Sequence, residues 1–381
     1  MRAYVFTDGA LTRHAGQFVW LSIDTENKKN AAFVEKYPIK AWPSFYVIDA
    51  SREKIALRWV GGATVAELDK LFAEGAHAGS GKPAADPALA RADALYSEGR
   101  YAESIPSYQA ALKSLPKGSA SHTRAIESLL FSYSVADRPA DCAALARESL
   151  ASLRHTPAAA FLAGGGLDCA LQLPPEAPGR AASVASLEKD ALALLADPKL
   201  PLAADDRSAL YGSLFDARED AKDAAGARKL AHEWVADMDA AAAAAKTPEQ
   251  WTALDPNRYS AYKAAGEIEK AIPMLEKSEK YFPNDYNPPA RLASAYLSLK
   301  RYDEALAAAD RALALVYGPR KLRVLATKAE IYKGMGNSEA ERRTVEEALA
   351  YAEALPPGQK SESAVASLKK RLGSAPPGGC R

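Results

Sequence analysis

The sequence predicts a small α/β domain followed by a long all-α solenoid. Three observations carry this reading. Three short β-rich runs fall within the first 61 residues. A stretch of small residues, Gly and Pro occupies 76–87 (AHAGSGKPAADP). The remainder is helical in pattern and repeats itself at a spacing of about 34 residues.

The elements follow in order. Met1–Phe6 reads as the end of a helix, and Asp8 offers an N-cap to a short helix through Leu11–Ala15. Phe18–Asp24 (FVWLSID) is a nearly continuous apolar run suited to a central strand buried on both faces. Asp24 or Thr25 can cap the next helix, whose Ala31, Phe33, Val34 and Tyr37 suit one buried face. Ser44–Asp49 is a second strand, residues 49–52 a turn, and Ile55–Val60 an antiparallel return. After Gly61-Gly62, Thr64–Ala73 is a helix with Val65, Leu68, Leu71 and Phe72 inward.

This β-α-β-β-α order, with Pro43 opening the second strand, resembles a thioredoxin fold entered just after its Cys-x-x-Cys. Met1 and Val5-Phe6-Thr7-Asp8 are similar to the segment that follows that motif. The resemblance implies a cis bond at Pro43 and a Trp42 backbone presented to a bound peptide. Trp42 and Pro43 are thus the candidate substrate- or peptide-binding residues, although Trp replaces the small or branched residue usual before the proline. It also implies a preceding strand and two cysteines that this sequence lacks. Without that strand, Phe18–Asp24 would expose unpaired ladder groups. The expectation is that the active cysteines lie upstream of Met1, leaving no catalytic residue in the chain.

Beyond the hinge, Tyr262, Gly266, Ala271, Ile272, Leu275 and Ser278 recur as Tyr296, Lys300, Ala305, Leu306, Ala309 and Ala312. They recur again as Tyr332, Gly336, Glu341, Arg342, Val345 and Ala348. An N-terminal copy runs from Leu95-Tyr96 through Gly99-Arg100-Tyr101, Ile105 and Tyr108 to Pro116. These copies resemble the tetratricopeptide repeat. Gly99 and Gly266 suit the turn between paired helices, small residues permit close helix approach, and Pro116 and Pro283 end second helices. Arg124–Tyr133, Cys142–Leu153, Ser183–Leu195, Asp206–Ala221 and Ala224–Met238 are amphipathic candidates for divergent repeats, with Phe161–Gly166 (FLAGGG) read as an interruption. Ala240–Ala245 extends a helix or forms a connector. The expected organisation is a partial thioredoxin-like domain over 1–75 and a flexible linker over 76–87. A tetratricopeptide solenoid over 88–357, a capping helix over 358–373 and a disordered tail over 374–381 complete it.

Composition narrows the function. A net charge of +1 with interspersed signs gives no footprint for nucleic acid. No run approaches the ~20 apolar residues of a membrane span. Cys142, Cys169 and Cys380 show no Cys-x-x-Cys spacing, and whether Cys142 pairs with Cys169 is open at this level. The five histidines are scattered without ligand spacing, so neither a metal nor a cofactor is expected. The implied partner is a protein or peptide in the solenoid groove, where Lys263, Asn287, Ser294 and Ser298 are the candidate contacts.

Two functions follow. One is a thioredoxin-family thiol–disulfide protein whose repeats recruit a partner. The alternative is a non-enzymatic tetratricopeptide scaffold with a redox-dead thioredoxin remnant. The first implies export to the periplasm if a signal lies upstream; otherwise the expectation is cytoplasmic.

Overall fold

The computed structural model describes residues 5–39, 42–60, 63–79 and 86–374. In chain order, a 3-10 turn (Gly9–His14) and a second (Lys28–Asn30) precede α1 (Ala31–Lys36), β1 (Ser44–Asp49), β2 (Lys54–Val60) and α2 (Val65–Gly79). Then come α3 (Pro87–Ser97), α4 (Tyr101–Ser114), α5 (Ala120–Val135), α6 (Pro139–Leu153), α7 (Ala158–Gln172) and α8 (Arg180–Ala196). They are followed by α9 (Ala204–Asp220), α10 (Ala224–Ala244), α11 (Pro248–Ala253), α12 (Asp255–Ala264) and α13 (Ala271–Tyr281). The chain closes with α14 (Asn287–Ser298), α15 (Tyr302–Leu315), α16 (Lys321–Gly334), α17 (Ser338–Glu353) and α18 (Glu362–Ser374). The chain forms two units: Met1–Val19 with Ile39–Ala244, and Trp20–Pro38 with Ala245–Arg381.

In the first unit, β1 and β2 form a two-stranded antiparallel sheet, with Phe45 opposite Trp59 and Val47 opposite Leu57. Asp49 makes the turn because its carboxylate accepts hydrogen bonds from the Ser51 amide and hydroxyl and from the Arg52 amide. The sheet packs on α2, whose Leu68, Leu71 and Phe72 join Leu57 in one core, with Phe18, Phe45 and Val47 against it. Helix α2 starts at a reciprocal cap: Thr64 Oγ1 accepts from the Glu67 amide, and Glu67 accepts from the Thr64 amide. Buried His14, at the far end of the 3-10 turn that Asp8 caps, reaches Asp69 of α2 at 2.6 Å.

Two buried arginines join these elements to the helical array. Arg124 of α5 donates twice to Asp93 of α3, at 2.7 and 2.9 Å, and once to Glu74 of α2 at 3.3 Å. Arg58 of β2 is only 2% exposed and meets no carboxylate among the described residues. Its guanidinium is ringed by Tyr46, Tyr96 and Tyr101 at 5.2, 5.3 and 5.8 Å and donates to the Tyr96 carbonyl.

One turn recurs through the array. At Gly99, Asp137, Lys222, Gly266, Lys300 and Gly336 the backbone is left-handed, with φ between 55° and 76°. After each, the next amide bonds a carbonyl five residues back: Arg100 to Leu95, Arg138 to Tyr133, Asp223 to Arg218, Glu267 to Tyr262, Arg301 to Tyr296, Asn337 to Tyr332. This closure satisfies the carbonyls left over at a helix end and starts the partner helix at once. The divergent middle therefore keeps the hairpin geometry of the clear copies.

Several sequence expectations need correction. The α/β thioredoxin-like domain does not form. Phe18–Asp24 belongs to no strand, and Val19, Trp20 and Leu21 are exposed. The described sheet has two strands, and residues 20–38 belong to the other unit. The run has strand propensity, but propensity needs a flanking strand to be realised. The acidic residues at its end instead find basic and phenolic partners in the C-terminal unit. Asn27, not Asp24 or Thr25, caps the turn before α1.

The glycine run is no interruption: α7 is continuous through it. A Cβ on Gly166 would lie well inside contact distance of Ala146, and one on Gly165 would press on Leu130. Three glycines weaken a helix, each by ~1 kcal/mol relative to Ala, but here they admit α6 closely. That approach brings Cys142 and Cys169, both at most 1% exposed, into a disulfide with a Cα–Cα distance of 6.0 Å. Helix α2 continues to Gly79, so the start of the expected hinge is helical, while 80–85 and the tail carrying Cys380 lie outside the described residues.

Candidate functional site

The repeat pairs α12/α13, α14/α15 and α16/α17 dominate the C-terminal unit. Helix α14 packs on α16 and on the turn Ile268–Lys270 that follows α12. Small buried residues make this possible, notably Ala293, Ala295, Ala305, Ala308, Ala309 and Ala312.

On α14 a polar stripe runs through Asn287, Arg291, Ser294 and Ser298, at the i, i+4, i+7, i+11 spacing that places residues on one helix face. The Asn287 side chain donates to Asp285 at 2.7 Å, and Asp285 also accepts the Asn287 amide, which fixes the helix start. Ser294 and Ser298 donate to the carbonyls of Ala290 and Ser294 one turn back, leaving their lone pairs as acceptors. Tyr259 of α12 lies near Arg291 and Ser294, and burial raises its phenol pKa. Lys263 is exposed on α12, but it stands in the repeat register of Leu297, not on the stripe. Three of the four groove candidates thus share one face.

Sequence reading missed the centre of that stripe. Arg291 is half-buried and makes no hydrogen bond or ion pair among the described residues. Burial lowers its pKa, while the fields of Asp255 and Asp285 act the other way, and Arg323 of α16 adds a like charge. Asp255 itself is 1% exposed. Ser278 donates to one of its oxygens and the other has no partner. Burial pushes its pKa up to about 6. Arginine at one repeat position gives no periodic signal, so nothing in the repeat pattern could have found it.

A second polar group lies at the α15–α16 corner, and it holds the chain's own segment. Tyr317 Oη donates to Asp24 at 2.5 Å. Glu26 accepts the Arg320 amide at 2.9 Å and its Nε at 3.2 Å. Gln359 Nε2 donates to the Thr25 carbonyl at 2.7 Å. Arg320 also reaches Tyr286 through Nη1 at 3.0 Å.

Trp42 and Pro43 precede β1 in the first unit; their peptide bond is cis and the Trp42 side chain is exposed. Among the described residues no group of His, Cys, Asp and Glu is arranged to hold a metal, and no helix is long and apolar enough to cross a membrane.

The family comparison agrees with the helical hairpins of the C-terminal unit. Residues 262–326 match the tetratricopeptide repeat family. No curated protein matches the chain. Among solved structures, a tetratricopeptide repeat protein of Thermus thermophilus is 17% identical, covering 76% of this chain and 96% of its own, with a TM-score of 0.26. BtubC from P. vanneervenii is 13% identical over 78% of this chain and 96% of its own, with a TM-score of 0.33. Acl4, an assembly chaperone of RpL4, is 15% identical over 75% and 96%, also at 0.33. The family match places tetratricopeptide repeat sequence over 262–326, from the end of α12 through α13, α14 and α15 into α16.

Proposed function

We propose that this chain is a non-enzymatic scaffold that binds a protein partner on the face shared by α12, α14 and α16, with Arg291 as its charged anchor. The observation that supports this most is the state of Arg291. A guanidinium withdrawn from water is normally paired. This one keeps its donors uncommitted among the described residues, ready for a partner's carboxylate or peptide carbonyls. Asn287, Ser294 and Ser298 flank it as polar contacts, Arg323 adds positive charge, and exposed Lys263 extends the basic side onto α12. Stacked helical repeats present such extended faces to polypeptides. A peptide contact at Trp42 and Pro43 in the first unit is a separate proposal, tested by Trp42→Ala.

The test is affinity capture with the wild-type chain, Arg291→Glu, and a control, Glu339→Lys, on the exposed side of α17. A partner retained by wild type and by the control but lost with Arg291→Glu supports the reading. A partner retained equally by all three places binding elsewhere.

A further inference from the structure

We infer that the corner formed by Tyr317, Gly318, Arg320 and Gln359 is a docking site for an acidic turn of the form Asp-x-Glu in a partner protein. The chain's own Asp24-Thr25-Glu26 occupies it and competes with that partner. The inference rests on the reading of the C-terminal unit as a protein-binding scaffold and names the chemistry of its ligand.

The occupant shows how the site reads a ligand. The first acid accepts the Tyr317 phenol, the middle carbonyl accepts Gln359, and the second acid takes both the Arg320 side chain and its backbone amide. Arg320 is the N-cap of α16, where unsatisfied amides favour a carboxylate. The middle side chain is not used by these bonds. Recognition is therefore of two carboxylates two residues apart and the backbone between them.

The cradle is shaped for backbone. A Cβ on Gly318, whose φ is +64°, would collide with the Glu26 backbone, and one on Gly358 would collide with the Ala31 carbonyl and the Glu35 amide. Two glycines, forty residues apart, make room for the turn at Glu26 and for α1 beyond it.

The chain leading into the occupant is weakly committed. Residues 19–24 carry no regular secondary structure, and Val19, Trp20 and Leu21 are 88%, 51% and 71% exposed. A stretch whose large apolar side chains face water is drawn from the low-stability end of a fold, whereas Ala31 and Tyr37, beyond the acidic turn, are buried. An external segment with the same acids can therefore replace it, and its apparent affinity is reduced by the fraction of time the site is filled.

The experiment titrates a fluorescent peptide with the sequence of residues 20–38 into the full-length chain. Three proteins are compared: wild type, Asp24→Asn/Glu26→Gln, and that double variant with Arg320→Ala added. Circular dichroism confirms helix content for each. The expected result is binding by the double variant at least about tenfold tighter than by wild type, lost on adding Arg320→Ala. Equal affinity for wild type and the double variant, or no binding to either, overturns the proposal. A Glu26→Gln single variant, expected to lie between the two, guards against a double variant that folds poorly. Capture through Arg291 and titration at Arg320 are separate readouts, so failure of this inference leaves the scaffold reading standing and is distinguishable from failure of that reading.

Discussion

The disulfide between α6 and α7 gives a quantitative prediction. Cys142 and Cys169 are 27 residues apart in sequence. Closing a loop of that size in the unfolded chain removes roughly 12 cal/mol/K of entropy, or about 3.5 kcal/mol at 25 °C. The perturbation is Cys142→Ala/Cys169→Ala, which removes the bond and leaves small apolar residues at two buried positions. With a urea m-value of about 1–3 kcal/mol per molar, the midpoint for the N-terminal unit should fall by more than ~1 M. Reductant should lower the wild-type midpoint by a similar amount and leave the double variant unmoved. A thiol count on the denatured, unreduced wild-type chain should find one free cysteine of the three in the sequence. Three free thiols, together with a midpoint indifferent to reductant, would refute the reasoning.

Three other outcomes are expected. Lys300 holds a left-handed conformation at the turn position occupied by Gly99, Gly266 and Gly336, so Lys300→Gly should stabilise the C-terminal unit by up to about 1 kcal/mol in thermal denaturation. Asp255 has its pKa raised by burial from 3.8 to about 6, so its contribution to stability is full below pH 3.8 and is lost as pH rises through 6. Asp255→Asn should then raise the urea midpoint at pH 7.5, by up to about 3 kcal/mol of stability, and change little at pH 4. Truncating Arg58 to Ala should empty the space between Tyr46, Tyr96 and Tyr101 and cost ~2–4 kcal/mol. Arg58→Met, which keeps the bulk and removes the buried charge, should stay within about 1 kcal/mol of wild type, both being read by chemical denaturation.

Local pattern made much of the helical array legible. Periodic apolar positions, the turn glycines and the terminating prolines placed α12 to α17, and Pro356-Pro357 lies between α17 and α18. The β1–β2 hairpin was also legible, since its turn is written in Asp49 and Ser51. Features decided at long range were not. Phe18–Asp24 has strand composition, but its course is set by Tyr317, Arg320 and Gln359, nearly three hundred residues or more away in sequence. The glycines of α7 read as a break because their use, the close approach of α6, is a tertiary fact. Of the binding face, Asn287, Ser294 and Ser298 could be found by repeat geometry. Arg291, between them on the same stripe, stood out only once its surroundings were known.

The scaffold reading is tested most directly by where a partner touches the C-terminal unit. A photo-crosslinking residue placed at Ser298, on the exposed end of the α14 stripe, should capture a discrete polypeptide, and adding Arg291→Glu should abolish the product. The same probe at Glu339 on α17 should give none. Crosslinks from Glu339 alone, or products at Ser298 that survive Arg291→Glu undiminished, would contradict the account.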